Sequence, residues 1–440
     1  MSRVSVIGAG MAGCEAAWQL ARRGISVTLY EMKPCAYSPA HHSPDFAELV
    51  CSNSLKAERP DSAAGLLKSE MEMMGSLLVP CAKACRVPAG GALAVDRDDF
   101  SRMVTERIQS EPLITVHRTE LTDFPEGPVI VATGPLTADR LAHRIESLCG
   151  GSLHFFDAAA PIVTAESVDL TAAFYASRYE RGGESDYLNC PMNRAEYEAF
   201  YDALISAESA PLHDFDGKPN VYEGCMPIEI MARRGADTIR FGPLKPVGLR
   251  DPRTGHRPWA AVQLRREDAA GTLYNLVGFQ TNLKFSEQKR VFGLIPALKN
   301  AEFVRYGVMH RNTFLDSPRL LTGGFRFRLM NRLWFAGQMT GVEGYMESAA
   351  SGILAGINCC RALAGQPEYI PPAETMLGAL SRHVSASASA DFQPMGANFG
   401  ILPPLPDRIR DKKERYAALA QRALDALRAA LPDNANPIEI

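Results

Sequence analysis

The chain has 440 residues, which at roughly 150 residues each suggests two or three domains with cores that need no covalent staples. Apolar residues are 46% and charged residues 22% of the chain, so a disordered or fibrous protein is excluded. Lys plus Arg is 47 against 50 Asp plus Glu, a net charge of -3; this excludes a globally basic nucleic-acid coat and leaves room for a local basic face.

The start, MSRVSVIGAGMAG, reads as a strand and a glycine turn rather than a signal peptide. Val4, Val6 and Ile7 give the strand, and Ala12 to Arg23 a helix with Ala16, Ala17, Leu20 and Ala21 at helical spacing. Gly24 stops it, and Val27, Leu29 and Tyr30 form the next strand. Residues 32–62 are polar and Pro-rich and read as a long loop over the neighbouring site. Residues 63–80 read as helix, with Met71, Met73 and Met74 on a core face. Pro128 to Gly134 reads as a buried strand and tight turn. From 161 to 320 the character changes: Thr238–Phe241, Ala261–Leu264 and Leu273–Phe279 look strand-like between Gly and Pro, as in a separate, partly antiparallel domain. Leu333–Gly337 returns to a buried strand, followed by a Gly-rich helix start from Gly341 to Gly356, and Asp407–Leu431 reads as a packing helix.

The most apolar stretch, Ala349–Cys360, has 12 residues, short of the about 18 that a membrane span needs. Ten cysteines show no C-x-x-C pair and no regular spacing, which suggests free thiols in a reducing cytoplasm. No Cys or His pair completes a metal set with Cys81 and Cys85 or with Cys359 and Cys360, so no metal is expected.

Gly8-Ala9-Gly10-Met11-Ala12-Gly13 follows a strand and opens a helix, and Glu31 lies 18 residues after Gly13 at the end of the next strand. Gly8 makes the turn, Gly10 admits a pyrophosphate, Gly13 lets helix and strand pack closely, and Glu31 and the adjacent Met32 close on the ribose side. Strand, helix, second strand and acidic residue together lift the motif above a lone G-x-G-x-x-G. Its place at the N-terminus favours FAD. So do Ala132-Thr133-Gly134, like the second nucleotide motif of two-dinucleotide-fold flavoproteins, and Leu333-Trp334-Phe335-Ala336-Gly337, like their C-terminal flavin motif. That motif usually places Asp after its Gly, where this chain has Gln338.

Most cysteines read as buried small hydrophobes. Cys51, amid polar residues in VCSNSLKAE, and Cys225, in EGCMPIE, stand apart. These segments, with RVPAGGALAVDR, AAPIVTAESVDL, DYLNCPM, FGPLKPVGL, VGFQTNLKFSEQKR, RYGVMHRNT and GVEGYMESAASG, resemble the folate- and FAD-dependent tRNA uracil-C5 methyltransferases, from residue 3 to about 402. The resemblance implies a two-dinucleotide-binding-type FAD fold, α/β and Rossmann-like with a mixed sheet, over 1–160 and 321–440, with an inserted α+β substrate domain at 161–320.

It also implies methylation of the T-loop uridine at position 54 of tRNA. Methylenetetrahydrofolate is the one-carbon donor, reduced FAD carrier and reductant, and NADPH or NADH the source of electrons. Uracil C5 is a poor nucleophile until a thiolate adds at C6. Cys225 and Cys51 are the candidates. Cys225 is the expected C6 nucleophile, and Cys51, near the flavin, accepts the C5 proton or holds the one-carbon unit; on sequence the two roles could be exchanged. Gly337, Gly341, Val342, Gly344, Tyr345 and Ser348 would line the flavin, His310 would stack on the pterin or a base, and Glu343 and Glu347 would touch flavin or folate or simply cap the helix. Asn282, Lys284 and Arg311 lie in the folate-side motifs, and Lys284, Lys289, Arg290, Arg233, Arg234, Lys245, Arg311, Lys412 and Lys413 are candidates for RNA phosphates. The alternatives are an FAD enzyme acting on a ribosomal or wobble uridine and a small-molecule FAD oxidoreductase. The latter gives Cys51 and Cys225 no task.

Overall fold

Residues Arg3–Ile7 form the first strand, buried at all but its first position. In the computed structural model, which describes residues 3–151, 153–180, 186–211, 226–386 and 392–432, this strand is central in a five-stranded parallel sheet. The order is Leu333–Phe335, Val129–Val131, Arg3–Ile7, Ser26–Glu31, Ile114–Arg118. Val4 pairs with Val27 on one side and Val6 with Ile130 on the other. Short, wholly apolar strands such as Val129–Val131 suit a sheet covered on both faces. The chain leaves the first strand toward Ser26–Glu31 and later returns on its opposite side as Val129–Val131. That reversal is a topological switch point, where open α/β sheets take ligands at the carboxyl ends of their strands.

Helix Met11–Ala21 packs along helix Tyr345–Leu363. Small residues make the approach possible: a Cβ on Gly352 would fall 2.1 Å from the Ala12 carbonyl oxygen. Val6, Leu20, Leu29, Trp334 and Ile353 fill the core around this pair. Met71 and Met74 are fully buried there, so the methionine face is core. The helix expected over 63–80 is two helices, Ala63–Met73 and Leu78–Ala84. Gly75 between them adopts φ 73°, which ends the first and turns the chain.

A second sheet is antiparallel throughout. Its six strands run in the order Phe174–Tyr175, Tyr187–Met192, Ala260–Arg266, Leu273–Leu276, Ile162–Thr164, Phe303–Arg305. It has its own core of Val163, Leu188, Phe200, Val262, Leu276, Phe279 and Phe292. Leu153–Ala158 and Met309–Phe314 pair antiparallel where the chain enters and leaves this unit. The architecture is thus α/β, with a Rossmann-like parallel sheet and an α+β unit between its fourth and fifth strands in chain order.

Three local expectations need correction. Thr238–Phe241 is helical, within Ala236–Phe241, rather than a strand. Four residues carry too little periodicity to separate the two, and Ile239 is buried while Phe241 is exposed. The strand read over Leu273–Phe279 stops at Leu276, and Gly278 turns at φ 79°. The loop over 32–62 contains a strand, Ser54–Ala57, which joins Ala92–Val95 and Arg86–Val87 in a small third sheet. The C-terminal helix spans Lys412–Ala429, capped by Asp411, and buries Leu419, Ala423 and Leu427. No helix among the described residues is long and apolar enough to cross a membrane.

Candidate active site at the dinucleotide cleft

The glycine turn works by close approach. Gly8 has φ 97°, and a Cβ there would meet the Ala132 carbonyl oxygen at 2.6 Å. A Cβ on Gly13 would fall 1.8 Å from the Gly8 carbonyl oxygen, so only glycine lets the helix start against the strand. At Gly10 an added Cβ meets no protein atom within 4 Å. That open side faces the cleft. Gly10 is the helix N-cap and offers no side-chain cap, so the first N–H groups are left for another acceptor.

A cleft opens at this point. Its walls come from the carboxyl ends of all five parallel strands. Gly8 and Gly10 follow the first, Glu31 and Met32 the second, Thr119 and Glu120 the third, Thr133 and Gly134 the fourth, and Gly337 and Gln338 the fifth. Met11, Ala12, Tyr345 and Ser348 also line it. Glu31 is buried, and its carboxylate accepts from Ala9 N–H at 2.8 Å and Lys33 N–H at 2.9 Å. It thereby closes the glycine turn on the second strand while still facing the cleft. An extended, mostly apolar cleft with an uncapped helix N-terminus and an acidic residue on the next strand fits a dinucleotide such as FAD.

Cys51 is half-buried beside this cleft. Its backbone N–H donates to Tyr345 Oη at 2.8 Å, and its Sγ lies 3.0 Å from the same oxygen. Burial pushes the Tyr345 phenol well above its ordinary range, with the Cys51 side chain adding to the shift, so the phenol keeps its proton. With its own oxygen accepting from the Cys51 amide, that proton is available to the sulfur. Five other thiols are different, while Cys35 is exposed and Cys149 and Cys360 are half-buried. Cys14, Cys81, Cys85, Cys190 and Cys359 are buried. Burial pushes the Cys81 and Cys190 thiols up to about 12, out of the nucleophilic range. Cys225 lies outside the described residues.

The remaining expected residues disperse. Ala9 is buried under the turn. Gly341, Val342, Gly344 and Glu343 do not line the cleft; Val342 is fully buried and a Cβ on Gly341 would meet the Phe392 ring at 2.4 Å. Glu343 accepts from Gln338 Nε2 at 2.5 Å, which links it to the cleft wall. Glu347 is held by Lys56 Nζ at 2.8 Å and Ala397 N–H at 3.0 Å. Asn282 donates from its side chain to the Ala210 carbonyl oxygen at 3.1 Å, and Lys284 pairs with Glu208 on the surface. His310 and Arg311 are placed by backbone only, opposite Asp157 and Phe156 in the antiparallel pair.

Sequence reading missed several wall residues. Lys33, His41, Glu48 and Val50 come from the polar loop expected over the site, and composition alone does not pick out which of its residues reach the wall. Burial, then the nearby Lys33 charge, lowers the His41 imidazole, which keeps it neutral.

A family model described as Glucose inhibited division protein A matches residues 3–367. Relatives named methylenetetrahydrofolate--tRNA-(uracil-5-)-methyltransferase TrmFO are similar over nearly the whole chain. The one from Desulfitobacterium hafniense is 58% identical over 429 residues, covering 97% of this chain and 98% of its own. The one from Listeria innocua is 55% identical over 426 residues, with the same coverage of 97% and 98%. Among solved structures, Aquifex aeolicus GidA in its form II crystal matches with a TM-score of 0.70 at 14% identity, over 98% of this chain and 74% of that one. That likeness concerns the fold. The sequence identities reach further, and by them the protein belongs to the GidA family, in the branch of the methylenetetrahydrofolate--tRNA-(uracil-5-)-methyltransferases.

Proposed function

We propose that the protein methylates C5 of a uracil in tRNA, with methylenetetrahydrofolate as the one-carbon donor. The relatives' names support the reaction and both substrates. The finer reading takes the target as uridine 54 of the T-loop and the reductant as NADPH or NADH. FAD, when bound in the cleft, carries the one-carbon unit and supplies the electrons that reduce it to methyl.

The chain's own residues have definable tasks. Gly10 and the first N–H groups of helix Met11–Ala21 bind the pyrophosphate, and Glu31 orients the ribose side. One thiolate adds to uracil C6, which makes C5 nucleophilic. After C5 has taken the carbon, a base removes the C5 proton and the thiolate departs from C6. Cys51 and Cys225 carry these two tasks. Cys51 has the phenol proton of Tyr345 to orient its sulfur, and Tyr345 in turn forms part of the cleft wall.

The observation that carries the proposal is this placement of a thiol within 3.0 Å of a residue lining the dinucleotide cleft. A small-molecule FAD oxidoreductase has the same cleft and no use for the thiol. The test incubates the purified flavoprotein with unmodified tRNA transcript and NADPH, and with either labelled methylenetetrahydrofolate or labelled S-adenosylmethionine. Folate label in ribothymidine is expected by mass spectrometry of the nucleosides. No label from folate would sink the proposal, and the same assay on ribosomal RNA then tests the nearest alternative.

A further inference from the structure

The chain on both sides of Cys51 is tied to one charged cluster. Before it, the Leu49 carbonyl oxygen accepts from Arg97 Nη1. After it, Ser52 Oγ accepts from Arg265 Nη2 at 2.9 Å and Asn53 Oδ1 from Arg265 Nε at 2.8 Å. Arg97 opens helix Arg97–Ser110, whereas Arg265 belongs to the antiparallel strand Ala260–Arg266. The two guanidiniums therefore reach the Cys51 loop from different units of the fold. They converge on Glu267: Arg97 Nε donates to its Oε2, and Arg265 Nη2 lies 4.0 Å from its Oε1.

These groups do not balance in charge. Arg97, Arg265 and Glu267 are all largely buried, two cations against one anion among the described residues, and Asp98, exposed on the same helix as Arg97, is a further acid that acts on Arg97. Arg305, on strand Phe303–Arg305, acts on the same groups with a third positive charge. The phenols of Tyr187 and Tyr345 face the cluster too, and burial raises both, so neither supplies an anion. Arg97 Nη2 has no hydrogen-bond partner among the described residues. A buried surplus of cations favours any acid nearby in its charged form. The Cys51 thiol is such an acid, and the Tyr345 hydroxyl beside it is free to donate to sulfur.

We propose that Arg97 and Arg265 are positioning residues for Cys51. They fix the backbone on either side of it and supply the positive surplus that holds its Sγ as a thiolate at neutral pH, the thiol proton passing to solvent. Glu267 limits that surplus. The inference rests on the reading of Cys51 as a reacting thiol.

The experiment measures alkylation of Cys51 by iodoacetamide across pH 5–10 in the FAD-loaded protein, read at the Cys51 peptide by mass spectrometry. Arg265→Gln is expected to slow alkylation at pH 7 about tenfold, with its profile moved up by about one pH unit. Arg265→Lys restores part of the rate, because it keeps the charge and loses the planar fork. Glu267→Gln is expected to move the profile the other way. Damage to the fold cannot produce opposite shifts from two variants, and bound flavin absorbance reports the fold independently. Profiles that coincide in wild type, Arg265→Gln and Glu267→Gln would overturn the proposal. The parent reading fails differently: Cys51→Ala would then keep full methyl transfer whatever the alkylation profiles show.

Discussion

At the residue scale, the glycines of the turn separate binding from folding. Gly10→Val is expected to fold and to lose flavin, because its side chain enters open cleft space and meets the pyrophosphate rather than protein. Gly13→Val is expected not to fold, because its Cβ collides with the Gly8 backbone at 1.8 Å. Flavin absorbance per mole and far-UV circular dichroism distinguish the two; a yellow Gly10→Val protein at full stoichiometry would sink the placement. Cys51→Ala and Cys225→Ala are each expected to drop methyl transfer at least ~100-fold while keeping flavin, the scale on which removal of a reacting nucleophile or base acts. Measured turnover with labelled folate checks both. Tyr345→Phe is milder, since it removes the two hydrogen bonds to Cys51, at its amide and its sulfur, and leaves the thiol in place.

At the element scale, helix contacts in the nucleotide unit are set by small residues and buried carboxylates. Gly352→Val pushes helix Tyr345–Leu363 off helix Met11–Ala21, because its Cβ meets the Ala12 backbone. A loss of about 1–3 kcal/mol in urea denaturation is expected, the usual cost of overpacking. Glu70 accepts from the N–H groups of Met376 and Leu377, both at 2.8 Å, and so caps helix Met376–Ala386 from inside the core. Burial raises its carboxyl from 4.5 to about 8, against the pull of those two hydrogen bonds. The folded protein therefore holds this proton more tightly than the unfolded chain. The resulting stability is complete below pH 4.5 and is lost as pH rises to about 8. Glu15, raised to about 7 by burial, adds to the same trend. Urea midpoints should fall between pH 5 and 8.5, and Glu70→Gln should shrink that fall. An unchanged pH dependence in the variant would refute the assignment.

At the scale of the whole molecule, two cores are linked beside Cys51 by Arg97–Glu267 and Arg265–Asn53. One surrounds the parallel sheet, the other the antiparallel sheet. The dinucleotide cleft belongs to the first. Calorimetry is expected to resolve two transitions, of which added FAD raises only the one belonging to the parallel-sheet unit. A ligand at 100 times its Kd shifts the unit that binds it by about 2.7 kcal/mol. A single transition that moves as a whole would show that the Arg97–Glu267 and Arg265–Asn53 links make one cooperative body.

The sequence alone determined the nucleotide unit, because its requirements are local. Gly8, Gly10, Gly13 and Glu31 sit at fixed offsets along one strand–turn–helix–strand, and each is demanded by backbone contact within that stretch. The motifs around Cys51 and Cys225 likewise pointed to the family through contiguous residues. Tertiary structure decided what surrounds Cys51. Tyr345 is 294 positions away along the chain, Arg265 comes from another sheet, and Glu267 lies just past the end of that strand. No periodicity links such residues, since their meeting depends on how two sheets pack. The helix at Ala236–Phe241 was hidden for a related reason: six residues carry less signal than the neighbours that bury Ile239. Where one segment satisfies its own backbone, the sequence is sufficient. Where buried charge from several segments must be shared, only the folded chain settles which groups meet.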